Sequence, residues 1–318
     1  MRVLVTGGAG FIGSHIVDYL MLRDHSVIVI DNLSTGRMEN IKRWLNNPQF
    51  QFYKADLVNL DEIIDLFKDV DVVFHYAANS EVRIGSQRPE ELWNNNIVAT
   101  YNVLESMRKN GVKYIVFASS STVYGDQVNI PTPEDSRLEP ISIYGASKLA
   151  GEALIFGYAH TFKIRALILR YANIIGSRLR HGVVYDFIRK LKKTPDKLEI
   201  LGDGTQRKSY LHISDAVEAT IAAFEHFIES DKLVDIYNIG NNDWITVKEI
   251  ADIVSRVMNL NPEYHFTGGV EGGRGWVGDV KLMLLDISKL KSIGWSPKFS
   301  SGEAIELAAR EILSEIRE

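Results

Sequence analysis

Tyr144 and Lys148, in the run YGASK, stand four residues apart, so on a helix their side chains share one face. Pro140 and Ser142 just ahead of them mark the start of such a helix. A free tyrosine ionises near pH 10, and a neighbouring ammonium lowers that value, so the pair can supply a phenolate base closer to neutrality. Such a base takes a proton from a hydroxyl. YxxxK is frequent by chance in helical sequence, so its weight comes from its surroundings. A serine-rich run, Ser119-Ser120-Ser121-Thr122, closes the strand predicted before it and brings a hydroxyl to the same place.

The stretch VLVTGGAGFIGSHIVDYL at 3–20 reads as strand, glycine-rich turn and helix. Gly7, Gly10 and Gly13 recur every third residue, which lets the backbone turn tightly, approach a pyrophosphate and pack helix on strand. The helix N-terminus then faces an anion. A second strand ends on Asp31, 18 residues past Gly13. A carboxylate there accepts hydrogen bonds from an adenosine ribose diol and repels a 2′-phosphate, so NAD is expected rather than NADP.

Strand patterns at 2–6, 26–31, 50–54, 70–76, 113–119 and 165–171 alternate with helix patterns ending at 22 and covering 38–44, 60–67, 89–109 and 144–162. That alternation predicts an α/β fold with a Rossmann-like doubly wound parallel sheet, whose ligands lie beyond the carboxyl ends of the strands. After Tyr171 the pattern loosens, with helices expected at 182–193, 214–228, 247–259 and 302–316 and short strands at 198–201 and 235–239. Thr246 and Glu249 have capping-box spacing. We expect an NAD-binding domain over 1–172 and a smaller α/β substrate-binding lobe over 173–318, with 235–239 free to return to the first sheet. The 89–109 and 144–162 helices are apolar beyond one stripe, so the excess needs cover; a homodimer through them is expected, with coverage by the chain's own second lobe as the alternative.

With 318 residues and 45% hydrophobic content the chain can bury two cores. A net charge of −5 with scattered Lys and Arg argues against nucleic-acid binding. There is no cysteine, and the eight histidines show no ligand-type pairing, so no metal site is expected. The first strand begins at once and no apolar run approaches membrane-spanning length, so a cytoplasmic protein without membrane association is expected.

The motifs TGGAGFIGSH at 6–15, DNLSTG at 31–36, FHYAAN at 74–79, Asn95-Asn96, SSSTVYGD at 119–126, YGASK at 144–148, LRYANIIG at 169–176, LGDGTQ at 201–206 and Gly278-Asp279 belong together. Over essentially its whole length the chain resembles the extended short-chain dehydrogenase/reductase family, within it the nucleotide-sugar epimerases of the UDP-glucose 4-epimerase type. The resemblance implies that Tyr144 is the acid/base and that Lys148 holds the nicotinamide ribose while lowering the tyrosine pKa. It also implies that Ser120 hydrogen-bonds the sugar O4 and offers a relay for its proton. Beside Gly7, Gly10 and Gly13, it places Phe11, Ile12, Asp31, Asn32, Ser34, Thr35, Gly36, Asp56, Leu57, Ala77, Ala78, Asn95, Tyr171 and Ala172 at cofactor positions. Asp56 would meet the adenine amino group and Asn95 the nicotinamide half. Val82, Asn173, Leu201, Lys208 and Arg274 fall at or near UDP-sugar positions. Three departures stand out: Ser80 replaces a frequent lysine, Lys208 replaces a diphosphate arginine, and Arg274 lies two residues farther than usual from Gly278-Asp279.

Dehydratases and UDP-xylose-forming decarboxylases of the same family carry an acid just before Val-Tyr-Gly, where this chain has Ser121-Thr122. Without that acid a 4-keto sugar can only take its hydride back. Inversion at C4, most readily of UDP-glucose and UDP-galactose, is the expected reaction. The alternatives are another nucleotide-sugar oxidoreductase or dehydratase of the family and a non-catalytic NAD-binding sensor, although a sensor has no need of Tyr144, Lys148 and Ser120 together.

Overall fold

The runs VLV, VIVI and VVF cannot face water on either side, and they form the inner strands of a sheet buried on both faces. A computed structural model describes residues 1–317. In chain order it begins with β1 Arg2–Thr6, α1 Phe11–Met21, β2 Ser26–Ile30, β3 Phe50–Tyr53, α2 Leu60–Ile63, β4 Val72–His75 and α3 Pro89–Leu92. Then come α4 Ala99–Asn110, β5 Tyr114–Ser120, α5 Ile143–Phe162, β6 Arg165–Tyr171, β7 Asn173–Ile175, α6 Val183–Lys193 and β8 Lys197–Ile200. They are followed by β9 Arg207–Lys208, β10 Tyr210–His212, α7 Ile213–Glu229, β11 Val234–Ile239 and β12 Ile245–Thr246. The chain ends with α8 Val247–Val257, β13 Glu263–Phe266, β14 Leu282–Met283, α9 Ser288–Ser292 and α10 Ser301–Arg317.

The seven-stranded parallel sheet runs β11-β6-β5-β4-β1-β2-β3. Chain order reverses between β1 and β4, which pair in parallel from Val3↔Val72 to Thr6↔His75. A ligand crevice belongs beyond Thr6 and His75, at this switch point. The last strand, β11, lies beside β6, so the 235–239 segment does return to the sheet.

Contacts divide the chain into two units, and the division is not a single cut at 172/173. The first unit is Met1–Val123, Ile143–Arg170 and Thr220–Tyr237; the second is Tyr124–Ser142, Tyr171–Ala219 and Asn238–Glu318. Long-range bonds cause the exchange. Thr132 N donates to Leu284 O, Asp286 N donates to Thr132 O, and the Tyr124 hydroxyl donates to Asn238 Oδ1 at 2.7 Å, which fastens 124–142 into the second unit. Within the first unit, the Arg165 guanidinium donates to Phe227 O and Ser230 O, and Phe224 packs edge-on to Phe74 at 5.2 Å. The later half of α7, expected in the second lobe, therefore belongs with the sheet.

Local predictions differ from the structure where side chains demand it. The 38–44 segment is two 3₁₀ turns, and 60–67 is α2 followed by a 3₁₀ turn over Ile64–Phe67. The helix expected over 89–109 is α3 and α4 joined by a π-helical turn, Trp93–Val98. That wider turn carries Asn96 inward, where only 2% of it remains exposed. The capping box of α8 forms as its spacing predicts: Glu249 N donates to Thr246 Oγ1 at 3.1 Å and Thr246 N donates to Glu249 Oε2 at 2.8 Å.

Candidate active site

Gly7 sits at φ +66°, and a Cβ there would lie 2.6 Å from Ala77 N, so the turn after β1 can press against the loop after β4 only as glycine. A Cβ at Gly13 would likewise meet Gly7 O at 2.3 Å. Gly10 is the N-cap of α1, which has neither a side-chain cap nor an acidic residue in its first turn. Its leading N–H groups, at Phe11 and Ile12, thus answer to no side chain of the helix, and the cradle of glycines beside them fits a pyrophosphate.

Asp31, 8% exposed, accepts Ala9 N on Oδ2 at 3.0 Å and Leu33 N on Oδ1 at 2.8 Å. Burial pushes its carboxyl up, and the two N–H donors pull it back. Asn32 extends the chain: Oδ1 accepts Ser34 N at 2.9 Å and Nδ2 donates to Asp56 Oδ2 at 3.0 Å. Asp56 Oδ1 accepts Val58 N at 3.0 Å, and Leu57 between them is buried. Thr35 is exposed, whereas Gly36 lies against the Asp31 carboxylate. The structure thus brings together the residues expected at the adenosine end, and they fit an NAD ribose diol facing Asp31.

On α5 the buried stripe is Gly145, Ser147, Lys148, Gly151, Glu152, Ile155 and Ala159. A Cβ at Gly151 would be 2.7 Å from the Phe117 ring, so this glycine sets how closely α5 approaches β5. That approach lets Lys148 Nζ donate to Ala118 O at 2.8 Å. The ammonium stands 6.0 Å from the Tyr144 ring centre. The Ser120 hydroxyl favours the charged form of the Tyr144 phenol, and Thr122 Oγ1 donates to Ser120 Oγ at 2.9 Å.

The expectation that Lys148 depresses the Tyr144 pKa does not hold for these residues alone. Burial dominates both groups: it pushes the phenol up to about 12, against a lowering by Ser120, and pulls the ammonium down to about 8, against a raising by Glu152. With these residues alone the phenol is neutral near pH 7.

Several functional candidates escaped the sequence reading. Asn96 Nδ2 donates to Asn79 O at 3.1 Å and to Ser147 Oγ at 2.8 Å, while Asn79 N donates to Asn96 Oδ1 at 2.8 Å. Asn95, the expected contact, donates to Glu91 O of its own helix. Glu152 is clamped by Arg170, with Nε to Oε1 at 3.0 Å, and by the Ser119 hydroxyl. His75 lies between Thr6 Oγ1 at 2.6 Å and Thr100 Oγ1 at 3.0 Å, held neutral by burial with a pKa down to about 3. Ala77 and Ala78 follow it at the switch point, and Val82 opens the 3₁₀ turn Val82–Ser86.

In the second unit Tyr171 and Ala172 are buried, and Asn173 Nδ2 donates to Ser209 O at 3.1 Å. The carbonyl of Leu201 accepts Gln206 Nε2. Lys208 and Arg274, far apart in sequence, meet at Asp279: Lys208 Nζ pairs with its carboxylate and Arg274 donates to its carbonyl. Arg274 also grips Asp126 with both terminal nitrogens, at 3.2 and 2.7 Å. Both cations therefore already hold anionic partners.

The sequence profile of the NAD dependent epimerase/dehydratase family matches residues 3–240. A Methanocaldococcus jannaschii protein, provisionally named a UDP-glucose 4-epimerase, is 39% identical over 311 residues, covering 96% of this chain and 96% of its own length. UDP-glucuronic acid decarboxylase 4 of Arabidopsis thaliana is 32% identical over 321 residues, covering 98% of this chain and 68% of its own. The crystal structure of a UDP-galactose 4-epimerase, 48% identical, superposes with a TM-score of 0.90 over 99% of this chain and 100% of that one.

Proposed function

The chain belongs to the NAD-dependent epimerase/dehydratase family, and from that footing we propose that it inverts C4 of a nucleotide sugar, interconverting UDP-glucose and UDP-galactose. Bound NAD supplies the acceptor, and then the donor, of the C4 hydride. Tyr144 takes the O4 proton and later returns it. Lys148, fixed by Ala118 O, holds a positive charge 6.0 Å from the Tyr144 ring centre and would hold the nicotinamide ribose. Ser120 orients O4. In the second unit Lys208 and Arg274 are the proposed diphosphate cations, trading Asp279 and Asp126 for phosphate oxygens.

The observation that carries the reaction class is Thr122. Relatives include a decarboxylase, but this chain puts a neutral hydroxyl, bonded to Ser120, where the dehydratases and decarboxylases of the family carry an acid. A ketone at C4 has no group at that position to drive enolisation or elimination.

We also place the protein in the cytoplasm as a homodimer acting in galactose metabolism. Trp93, Tyr101, Ile143, Phe156 and Phe162, on or beside α3, α4 and α5, expose large apolar surfaces suited to a second copy. Among the described residues no helix is long and apolar enough to cross a membrane.

The test is UDP-glucose deuterated at C4, followed by NMR without added NAD. Both epimers should keep the label at C4, and heavy water should place no deuterium on carbon. Tyr144→Phe should abolish turnover while NAD stays bound. Transfer of label to C6, or carbon dioxide released from a UDP-uronate, would replace epimerase with dehydratase or decarboxylase.

A further inference from the structure

Two donors converge on one hydroxyl oxygen at the end of β5. The backbone N–H of Thr122 donates to Ser120 Oγ at 3.2 Å, and the Thr122 hydroxyl donates to the same oxygen at 2.9 Å. The Ser120 hydroxyl favours the charged form of the Tyr144 phenol, as a donor to that oxygen would. A hydroxyl has one proton to give and two lone pairs to fill. When Tyr144 is a phenolate its oxygen can only accept, so the Ser120 proton must point to it. Both Ser120 lone pairs then remain, and the two Thr122 donors fill them.

We propose that Thr122 is a positioning residue for the proton step: by saturating the Ser120 oxygen it makes Ser120 a pure donor to the Tyr144 phenolate and closes the relay through Ser120. This rests on the reading of the site as a C4 epimerase. The sugar O4–H bond breaks, the Tyr144 O–H bond forms, and Ser120 keeps its own proton throughout. A hydroxyl that accepts two bonds is also a stronger donor in its third, so Thr122 strengthens the one contact within this unit that favours the charged tyrosine. The other ionisable groups facing this point are Lys148 on the same helix, the Glu152–Arg170 pair from α5 and β6, and neutral His75 from β4. None of these touches the Ser120 oxygen in place of Thr122.

The experiment uses the NAD-loaded enzyme and compares Thr122→Val, Thr122→Ser and wild type. The Tyr144 phenolate is titrated by ultraviolet difference absorbance, with Tyr144→Phe as the blank, so no turnover is needed. Thr122→Val should raise the midpoint by about half to one pH unit, roughly a three- to tenfold loss of phenolate at fixed pH, and Thr122→Ser should restore it. In the wild type, rate against heavy-water fraction should be linear, as for one proton in flight. An unshifted midpoint in Thr122→Val, or a curved two-proton dependence in the wild type, overturns the inference. A shifted midpoint in a protein that turns over no UDP-sugar would leave the hydrogen-bond assignment standing and remove the epimerase reading instead.

Discussion

Replacing Glu152 by glutamine tests the charge balance beneath the catalytic pair. Glu152 and Arg170 are each 2% exposed in their side chains, with Arg170 Nη2 on Oε2 at 2.8 Å and Nε on Oε1 at 3.0 Å. The Ser119 hydroxyl donates to Oε1 as well. Glutamine keeps the shape and one acceptor, enough for Ser119 and Nε. Its amide nitrogen, however, faces Nη2 donor to donor, and the charge is gone. Breaking one side of a buried ion pair costs about 3–5 kcal/mol, because the surviving charge is left without compensation. Here Arg170 would share its interior with Lys148, so the upper half of that range is expected. The measurement is guanidinium unfolding of Glu152→Gln against wild type, read by two probes to check for a single transition. A double variant, Glu152→Leu with Arg170→Met, removes both charges and should return to within about 2 kcal/mol of wild type. Glu152→Gln within about 1 kcal/mol of wild type, at unchanged slope, would refute the argument that this pair is energetically closed to solvent.

Asp31→Ala removes the acceptor of two backbone N–H groups and the charge that repels a 2′-phosphate. The ratio of NADP to NAD dissociation constants should fall at least about tenfold by fluorescence titration, and an unchanged ratio would deny Asp31 its discriminating role. Lys148 provides a pH test: its folded pKa is lowered from 10.5 to about 8, so between those values the unfolded chain binds a proton that the folded chain does not. Stability from this group therefore rises with pH across that window, by on the order of 3 kcal/mol, relative to Lys148→Met. A flat difference between the two proteins from pH 8 to 10 would contradict the buried state of the ammonium.

What was legible in the sequence was what short range decides. Strands buried on both faces must be runs of Val, Ile and Leu, the glycine turn needs Cβ-free positions at fixed spacing, and the Thr246–Glu249 box closes within one turn. The exchange of 124–142 and 220–237 between units depends instead on partners over a hundred residues away, such as Tyr124 with Asn238, and no local pattern carries it. The π-helical turn has the same origin, since Asn96 turns inward to meet Asn79 and Ser147, while its neighbour Asn95 is the better match by motif. Arg170 could have been found: a charge at the end of the apolar run Leu-Ile-Leu in a central strand has to be paired, and Glu152, four residues past Lys148, lies on the helix that covers it.

The spacing of Tyr144 and Lys148 showed who the partners are but not which force governs them. Two opposite tendencies act at once, attraction between ammonium and phenolate and the loss of water by both. Desolvation wins, leaving phenol and ammonium with pKa values near 12 and 8, so below pH 8 the pair rests as neutral acid beside cation. Such a pair is a poor base by itself. A positive charge brought next to the phenol lowers its pKa, and removal of that charge raises it again. Oxidised nicotinamide would supply that charge and the reduced ring would not, so Tyr144 would bind a proton less tightly beside the first than beside the second. The oxidised ring would thus favour the phenolate, and the reduced ring would favour keeping the proton taken from O4. Thr122 and Ser120 act on the same balance from the other side, steadying the phenolate by hydrogen bonds that do not change with the redox state. The burial that spoils Tyr144 as a free-standing base thus makes its acidity respond to a single added charge, because the same low-polarity surroundings that raise the phenol to about 12 leave that charge poorly screened.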